Sequence, residues 1–184
     1  MVVELGNERL FGDAFHLVEG KRVGLVTNPS GVNSALQSTA DRLWATDGVE
    51  LTALFGPEHG IRGDLEDGVR LGSAPDPRTG VPVFSLYGET RRPLDHMLEN
   101  VELLVVDIQE GGVRFYTYLY TMSMAMEACA ERSLPVVVLD RPNPIGGEIV
   151  EGNILDPKFA SFVGMYPIAV RHGMTIGELA RLFS

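Results

Sequence analysis

The sequence predicts an α/β fold of the Rossmann-like kind, with three layers, α/β/α, around a mostly parallel sheet. Several short segments are apolar throughout instead of alternating with polar residues, which is typical of strands buried on both faces. Helical segments and long connections separate these strands, as parallel pairing requires. The chain has 184 residues, of which 45% are hydrophobic and 22% charged. That size and composition predict one globular domain over residues 1–184.

The first two predicted strands lie in the N-terminal third of the chain. Residues 23–27 form a short apolar, β-rich run that ends in turn-forming residues 28–31. A helix is predicted over residues 39–45, because Ser38 is a suitable N-cap for it. The second strand, residues 49–55, then breaks into a segment that contains Gly, Pro, Glu and His.

The middle of the chain holds an irregular excursion and two further strands. Residues 61–79 are rich in Gly, Asp, Pro and Arg without sustained periodicity, and long loops in compact domains are often functional. A weaker strand is predicted at residues 82–85 and a short helix at residues 93–100. The strongly apolar residues 103–107 form the fourth predicted strand.

Two helices and a last strand complete the predicted fold. Residues 119–132 contain no Gly or Pro and mix Met, Ala and Leu with polar residues, which favours a helix packed on the sheet. The fifth strand, residues 135–139, stops at a segment with two prolines, residues 140–144. The final helix is expected to begin near Thr175, with Glu178 completing a capping box.

Charge and cysteine usage exclude several classes of partner. Asp plus Glu number 25 against 15 Lys plus Arg, and the net charge of −10 disfavours binding to nucleic acid. No stretch approaches the length of a membrane span and the N-terminus lacks the pattern of a secretory leader, so we expect no membrane contact. A cytoplasmic or already processed protein is expected, although exported relatives are compatible with this. The lone Cys129 is expected to be a buried structural thiol.

Polar clusters directly follow all five predicted strands. Because ligands of open α/β sheets bind outside the carboxyl ends of the strands, we expect these clusters to converge on one site; capping of the strand ends is the alternative for any one of them. The sequence contains no G-x-G-x-x-G, G-x-x-x-x-G-K-[ST], G-x-S-x-G or H-E-x-x-H motif, so no nucleotide cofactor is expected. The clusters begin at Asn28, Pro57, Ser85, Asp107 and Asp140.

Glu58 is the strongest candidate for a catalytic group. It lies between Pro57 and His59 in a glycine-bounded turn, where a carboxyl group can be partly buried against the crevice, as suits a general acid. An N-cap or a salt bridge that stabilises the turn is the alternative role for Glu58. His59 could orient Glu58, bind a sugar hydroxyl or pack beneath the loop.

Asp107 and Asp140 end the two most apolar strands and approach each other only if those strands are neighbours. Catalytic, sugar-binding and metal-binding roles are all open for them, but the dense ligand sets of Mg²⁺, Ca²⁺ or Zn²⁺ are missing, so no metal is expected. Arg114 and Tyr116 suit a carboxylated sugar, because a guanidinium pairs with a carboxylate and a ring packs on a sugar face. In the alternative, Phe115 and Tyr118 are core residues and Arg114 pairs with Glu110.

Together these segments resemble the NamZ-type exo-β-N-acetylmuramidases, a bacterial family formerly known as a domain of unknown function. The resemblance implies release of N-acetylmuramic acid from the non-reducing end of peptidoglycan fragments, in a cleft between this Rossmann-like domain and a C-terminal auxiliary domain that this chain lacks. One departure is Glu110-Gly111, where such proteins carry Asp-Val. The resemblance rests on residues 24–32, 54–63, 85–88, 107–109, 114–118, 140–147 and 161–164.

The resemblance gives Glu58 the acid/base role, and Arg114 or Arg141 would then bind the lactyl carboxylate of the muramic residue. If Asp107 or Asp140 is the second catalytic group, a carboxyl separation of about 5 to 5.5 Å implies retention and about 6.5 to 9.5 Å implies inversion. The expected catalytic residues are Glu58, His59, Asp107 and Asp140, and the expected substrate-binding residues are Asn28, Gln109, Arg114, Tyr116, Arg141 and Asn143.

Three other functions are compatible with the same residues. A non-catalytic module could bind a muropeptide or another glycan through the same polar rim. A metal-dependent hydrolase would use Asp107, Asp140 and His172. A nucleotide-binding domain is the least favoured, because the phosphate-binding loop is missing.

Overall fold

A five-stranded sheet in which every strand pairs in parallel forms the centre of the protein, as seen in a computed structural model. The structure describes residues 3–63 and 75–184. The strand order is β3-β2-β1-β4-β5. The strands are β1, Arg22–Thr27; β2, Glu50–Gly56; β3, Val83–Ser85; β4, Leu103–Asp107; and β5, Val136–Val138.

Helices cover both faces of the sheet and enclose two hydrophobic cores. Successive residues of a strand point to opposite faces, so Leu104 and Val106 of β4 enter one core and Leu103 and Val105 enter the other. Helices α1 and α2 contribute to the second core, and α3 and α4 to the first. This arrangement confirms the predicted three-layer α/β/α fold. The helices are α1, Gly6–Leu10; α2, Thr39–Ala45; α3, Tyr118–Glu131; and α4, Ile176–Phe183.

Local signals in the sequence located several elements to within one or two residues. Helix α2 has the predicted bounds and follows Ser38 as its N-cap. Helix α4 begins with the predicted capping box, in which the Glu178 N–H donates to the Thr175 hydroxyl and the Thr175 N–H donates to the Glu178 carboxylate at 2.8 Å. Cys129 is buried in α3, and burial raises the pKa of its thiol to about 12, so the expectation of a structural thiol is confirmed.

One prediction of local structure was wrong, and one helix was missed. The helix expected at residues 93–100 is only a short 3-10 turn, Asp95–Met97. Both Leu98 and Val101 must enter the core from this segment, and a second turn closed by the Val101 N–H on the Leu98 carbonyl achieves this. Helix α1 was not predicted, because 5 residues are too few to show helical periodicity.

The long irregular loop predicted at residues 61–79 is described only at its two ends, because residues 64–74 lie outside the described residues. Its C-terminal end returns to the sheet through a bridge between Pro75 and Pro82. Within the described part of the chain, no helix is long and apolar enough to cross a bilayer.

Candidate active site

The strand order places a crevice at the carboxyl ends of β1 and β4. From β1 the chain proceeds to β2 and β3 on one side of the sheet, and it then crosses to β4 and β5 on the other. Such a reversal of strand order is where open α/β sheets bind their ligands. Because all the strands are parallel, the polar segments that follow them emerge at this same edge.

Glu58 and His59 occupy a tight turn after β2. The turn is closed by the Gly60 N–H, which donates to the Pro57 carbonyl at 3.0 Å. His59 has a φ of 70°, in the left-handed region that is strained for any residue with a β-carbon. Glu58 is half-buried and His59 is exposed, and no residue in the described ranges gives either side chain a hydrogen bond or an ion pair.

Close backbone packing holds this turn beside the loop that follows β1. A β-carbon on Gly56 would lie 3.2 Å from the Gly60 α-carbon, so the close return of the turn on the end of β2 favours glycine at this position. Gly63 has a φ of 71°, and a β-carbon there would lie 2.8 Å from a ring carbon of Pro29. These contacts bring the turn that carries Glu58 to the β1 side of the crevice.

Asn28, directly after β1, joins three loops at the crevice. Its Oδ1 accepts hydrogen bonds from the Ser30 backbone N–H at 3.0 Å and from the Ser30 hydroxyl. The Ser30 hydroxyl in turn accepts the Gln109 backbone N–H at 2.9 Å, which links the loop after β1 to the loop after β4. Asn28 also hydrogen-bonds the hydroxyl of Tyr118, the first residue of α3.

Tyr118 was not predicted as a site residue, yet both Asn28 and Glu58 act on its phenol. Burial raises the pKa of its phenol, the hydrogen bond with Asn28 opposes that rise, and the neighbouring Tyr116 and Glu58 add to it. The Tyr116 and Tyr118 rings meet edge to face, with 4.9 Å between their centroids.

Asp107 and Arg141, by contrast, form a buried ion pair. The Arg141 Nε lies 2.7 Å from Asp107 Oδ1, and both side chains are buried. The other Asp107 oxygen accepts the Thr39 hydroxyl at 2.6 Å and the Asn7 amide at 3.3 Å. Arg141 also donates to the Val32 carbonyl at 2.9 Å. The Asp107 carboxylate and the Arg141 guanidinium therefore both have hydrogen-bond partners within the protein.

Asp140, Asn143 and Gln109 also bond to neighbouring backbone. Asp140 caps α4, since its Oδ1 accepts the Gly177 N–H at 2.8 Å. Asn143 donates to the Met174 carbonyl at 2.9 Å, and Gln109 donates to the Pro142 carbonyl at 3.1 Å. The β4–β5 network, as we call this set, consists of Asp107, Gln109, Asp140, Arg141 and Asn143. Asp107 and Asp140 follow neighbouring strands, but each has its own protein partners.

Arg114, in the segment between β4 and α3, is half-buried and is held by carbonyl groups. Its Nη1 donates to the Asn153 carbonyl at 2.6 Å and to the Ile168 carbonyl at 2.7 Å. No carboxylate among residues 3–63 and 75–184 pairs with it, so its positive charge is not neutralised within the described structure. The alternative pairing of Arg114 with Glu110 is not formed.

Glu110 instead faces His172 in a buried pair that the sequence analysis did not identify. Glu110 Oε2 lies 3.3 Å from His172 Nε2, and both side chains are almost completely buried. His172 Nδ1 accepts the Met174 N–H at 3.2 Å, so neither ring nitrogen turns towards Asp107 or Asp140. Within the residues that the structure describes, no three His, Cys, Asp or Glu side chains gather into a possible metal site.

Arg62 forms a second ion-pair cluster, four residues after Glu58. It donates two hydrogen bonds to Asp76, at 3.0 and 2.8 Å, and one to Asp41 of α2 at 2.8 Å. Hydrogen bonds from Arg62, and then from Thr79, lower the pKa of the buried Asp76 to about 2. This cluster fixes residue 62 against residue 76 and α2. It was missed because Arg62 and Asp76 are remote in sequence and only their proximity in space reveals the pair.

Comparisons with known proteins match nearly the whole chain. The family profile described as "Exo-beta-N-acetylmuramidase NamZ, N-terminal" matches residues 23–184. The peptidoglycan β-N-acetylmuramidase NamZ of Bacillus subtilis is 57% identical over 182 residues, which are 99% of this chain and 44% of that protein. A crystal structure of a DUF1343 family protein from Bacteroides fragilis has a TM-score of 0.90 and 49% identity over 97% of this chain and 45% of its own. A second such protein from the same organism has a TM-score of 0.84 and 38% identity, covering 99% of this chain and 46% of its own.

Proposed function

This chain belongs to the exo-β-N-acetylmuramidase NamZ family, and from that premise we propose that it carries the catalytic acid of a glycosidase. The substrate is a muramic-acid-containing glycan or muropeptide, and the product is N-acetylmuramic acid released from its non-reducing end. The chain spans 44% of the length of the Bacillus subtilis relative. We therefore assign residues 1–184 to one Rossmann-like domain and propose that a C-terminal domain completes the cleft.

Glu58 carries the proposal. Of the three carboxyl groups that the sequence suggested for catalysis, Asp107 and Asp140 accept hydrogen bonds from the protein through both oxygens. Glu58 receives none from the described residues, and it lies at the edge of the sheet where α/β proteins bind ligands. A carboxyl group that is open to the crevice suits proton transfer to a sugar oxygen.

In the proposed reaction Glu58 acts as the general acid. Its carboxyl proton passes to the glycosidic oxygen as the bond between that oxygen and C1 of the muramic residue breaks. One water molecule supplies the hydroxyl group that C1 gains, and the proton released from that water replaces the one Glu58 has given up. Because Asp107 and Asp140 have structural partners, we assign the role of second catalytic carboxylate to neither of them.

Arg114 is the proposed partner of the lactyl carboxylate. Arg141 was the other candidate, but its charge is neutralised by Asp107 in the buried ion pair. Arg114 has only carbonyl partners among the described residues, so it keeps an uncompensated charge for an anionic substrate. Tyr116 is 38% exposed beside it and offers a ring face to the sugar.

The test is hydrolysis of a chromogenic β-N-acetylmuramide and of its N-acetylglucosamine counterpart. The assay uses this chain, and any longer polypeptide that contains it, each beside Glu58→Gln. Glu99→Gln is the matched control, since Glu99 is an exposed glutamate that is not part of the site. We expect release from the muramide alone, lost in Glu58→Gln and kept in Glu99→Gln.

Two results would contradict the proposal. Equal release from both substrates would indicate a general hexosaminidase. Muropeptide binding without any release by the longer polypeptide, unchanged in Glu58→Gln, would instead indicate a non-catalytic binding module.

A further inference from the structure

Strand β5 forms one edge of the sheet, and backbone groups on its outer side are open. The Pro135 carbonyl accepts a hydrogen bond from β4 at 3.0 Å, and the Leu139 N–H donates one to β4 at 2.9 Å. In this parallel register residues 135, 137 and 139 face β4, so the N–H and C=O groups of Val136 and Val138 point away from it. No residue within 3–63 or 75–184 bonds to these four groups.

The open edge of β5 has none of the features that usually protect the edge of a sheet. Protected edges carry charged side chains, prolines or bulges, or another segment covers them. Residues 136–138 are three half-buried valines, and their pairing with β4 contains no bulge. The next outward carbonyl, that of Asp140, already accepts the Gly6 N–H at 2.9 Å. A partner strand could therefore pair with Val136 and Val138.

A groove lies beside β5 on each face of the sheet. The first is between β5 and α4, and its apolar lining includes Met126, Val138 and Ala180. The second is between β5 and the N-terminal helices, and its apolar lining includes Leu17 and Val137. Because successive side chains of a strand point to opposite faces, a strand laid along β5 would place alternate side chains in the two grooves. Both grooves favour apolar side chains.

The direction of α4 indicates that such a strand would run parallel to β5. Helix α3 lies on the same face of the sheet as α4 and connects β4 to its outer neighbour, β5. Helix α4 follows β5 in the same way. It begins where the Gly177 N–H donates to Asp140, just after the carboxyl end of β5, and it ends at Ser184, which lines the first groove together with Val136. A segment that follows α4 would thus enter at the amino end of β5, through a crossover of the same hand.

We propose that the open edge of β5 is the docking surface for a sixth strand, which pairs in parallel with Val136 and Val138. The strand comes from the polypeptide that follows α4 in longer members of the family. The profile that matches this chain describes an N-terminal part, and the chain spans 44% of the Bacillus subtilis relative. This docking does not depend on the catalytic role of Glu58.

Amide hydrogen exchange tests the docking without any substrate. We compare this chain with the same chain extended by the roughly 20 residues that follow the matched part of the Bacillus subtilis relative, enough for a connection and one strand. The Val137 N–H faces β4 in both proteins and is the internal reference. Extension should lower the exchange rates of Val136 and Val138, relative to that of Val137, by at least about 10-fold. The matched control carries the same added residues in scrambled order and should leave these ratios unchanged.

A pair of leucine variants tests the grooves. Leu17 lines the second groove and is 39% exposed, whereas Leu94 is 41% exposed and lines neither groove. Leu17→Gln should lower the melting temperature of the extended protein by about 2 to 4 °C more than that of the unextended chain, because the added strand loses an apolar contact. Leu94→Gln should change the two melting temperatures equally.

Two results would overturn the proposal. The first is exchange at Val136 and Val138 that the extension leaves unchanged or that the scrambled extension slows equally. The second is slow exchange in the unextended chain that depends on protein concentration, because a second copy of the chain would then cover this edge. If exchange slows as expected but the extended protein cleaves no muramide, the docking stands and the proposed function alone is in question.

Discussion

The turn after β2 and the carboxyl ends of β4 and β5 contain the same kinds of residue at the same edge of the sheet, yet they differ in what their side chains bind. In the β4–β5 network, Asp107 and Asp140 each accept hydrogen bonds from the protein, and Arg141 is neutralised by Asp107. In the turn after β2, Glu58 has no hydrogen bond from a described residue and His59 is exposed. A carboxylate at a strand end is therefore free for chemistry only where the fold supplies no partner for it.

The difference follows from the neighbours that the fold gives each region. The end of β4 is covered by Thr39 of α2 and Asn7 of α1, which donate hydrogen bonds to Asp107 and satisfy it. A buried carboxylate without such partners would be costly, so a fully buried position requires them. Strand β2 is as far from an edge of the sheet as β4, but Glu58 in the turn after it is only half-buried, so a polar group there can remain open.

The largest expected difference between the two regions is in catalysis. Glu58→Gln should lower kcat for the muramide by about 10² to 10⁴-fold, the usual contribution of a general acid, and leave the free energy of unfolding within about 0.5 kcal/mol of the wild type. Denaturant unfolding and initial rates on the same preparation measure both. If the free energy of unfolding of Glu58→Gln falls by as much as its activation free energy rises, the turn is structural as well.

Asp107→Asn should show the opposite behaviour. Removing this charge leaves the Arg141 guanidinium buried without a counterion, which costs about 3 to 5 kcal/mol in pairs of this kind. We expect the free energy of unfolding to fall by about 3 kcal/mol, measured by urea denaturation. If Asp107→Asn keeps full stability but loses activity, the contrast between a structural Asp107 and a catalytic Glu58 is wrong. Asp107 would then have to act on the substrate.

The sequence predicted the fold better than the site. Continuous apolar runs such as Leu103–Asp107 and the capping box at Thr175 are local signals, and the structure places both where they were expected. The polar residues after the strands could also be located, because parallel pairing sends every strand end to one edge. Which of these residues are open and which are bonded depends on contacts remote in sequence, such as that between Asn7 and Asp107.

Tyr118 and Arg62 show the same limit. Tyr118 was considered only as a core residue, and its contact with Asn28 places it at the crevice. Arg62 lies within the segment that carries the family resemblance, but its partners Asp41 and Asp76 are 21 and 14 residues away. The family profile assigns the chain to its family without distinguishing these roles.

The Arg62–Asp76 pair, which begins four residues after Glu58, should make this part of the fold sensitive to acid. The folded-state pKa of Asp76 is about 2, below its usual value of 3.8, so the pair contributes stability above about pH 4 that is lost as the pH falls through 2. The contribution is about 2 kcal/mol. Between pH 5 and pH 2, the free energy of unfolding of the wild type should fall by that much more than that of Asp76→Asn. Parallel acid curves for the two proteins would show that the pair contributes nothing.

The smallest expected effect concerns the left-handed backbone at His59. It tests whether this strained conformation helps to position Glu58. Leu36 is a matched control, since it has a φ of 59° against 70° for His59 and is 81% exposed. Glycine relieves the strain of this conformation but loses more chain entropy on folding, so each change to glycine should raise the free energy of unfolding by no more than about 1 kcal/mol. His59→Gly should also lower the rate of muramide hydrolysis several-fold, because a freer turn positions Glu58 less well, whereas Leu36→Gly should not. If His59→Gly gains stability and keeps its full rate, the strained backbone has no part in holding Glu58, and the turn differs from the β4–β5 network only in lacking partners.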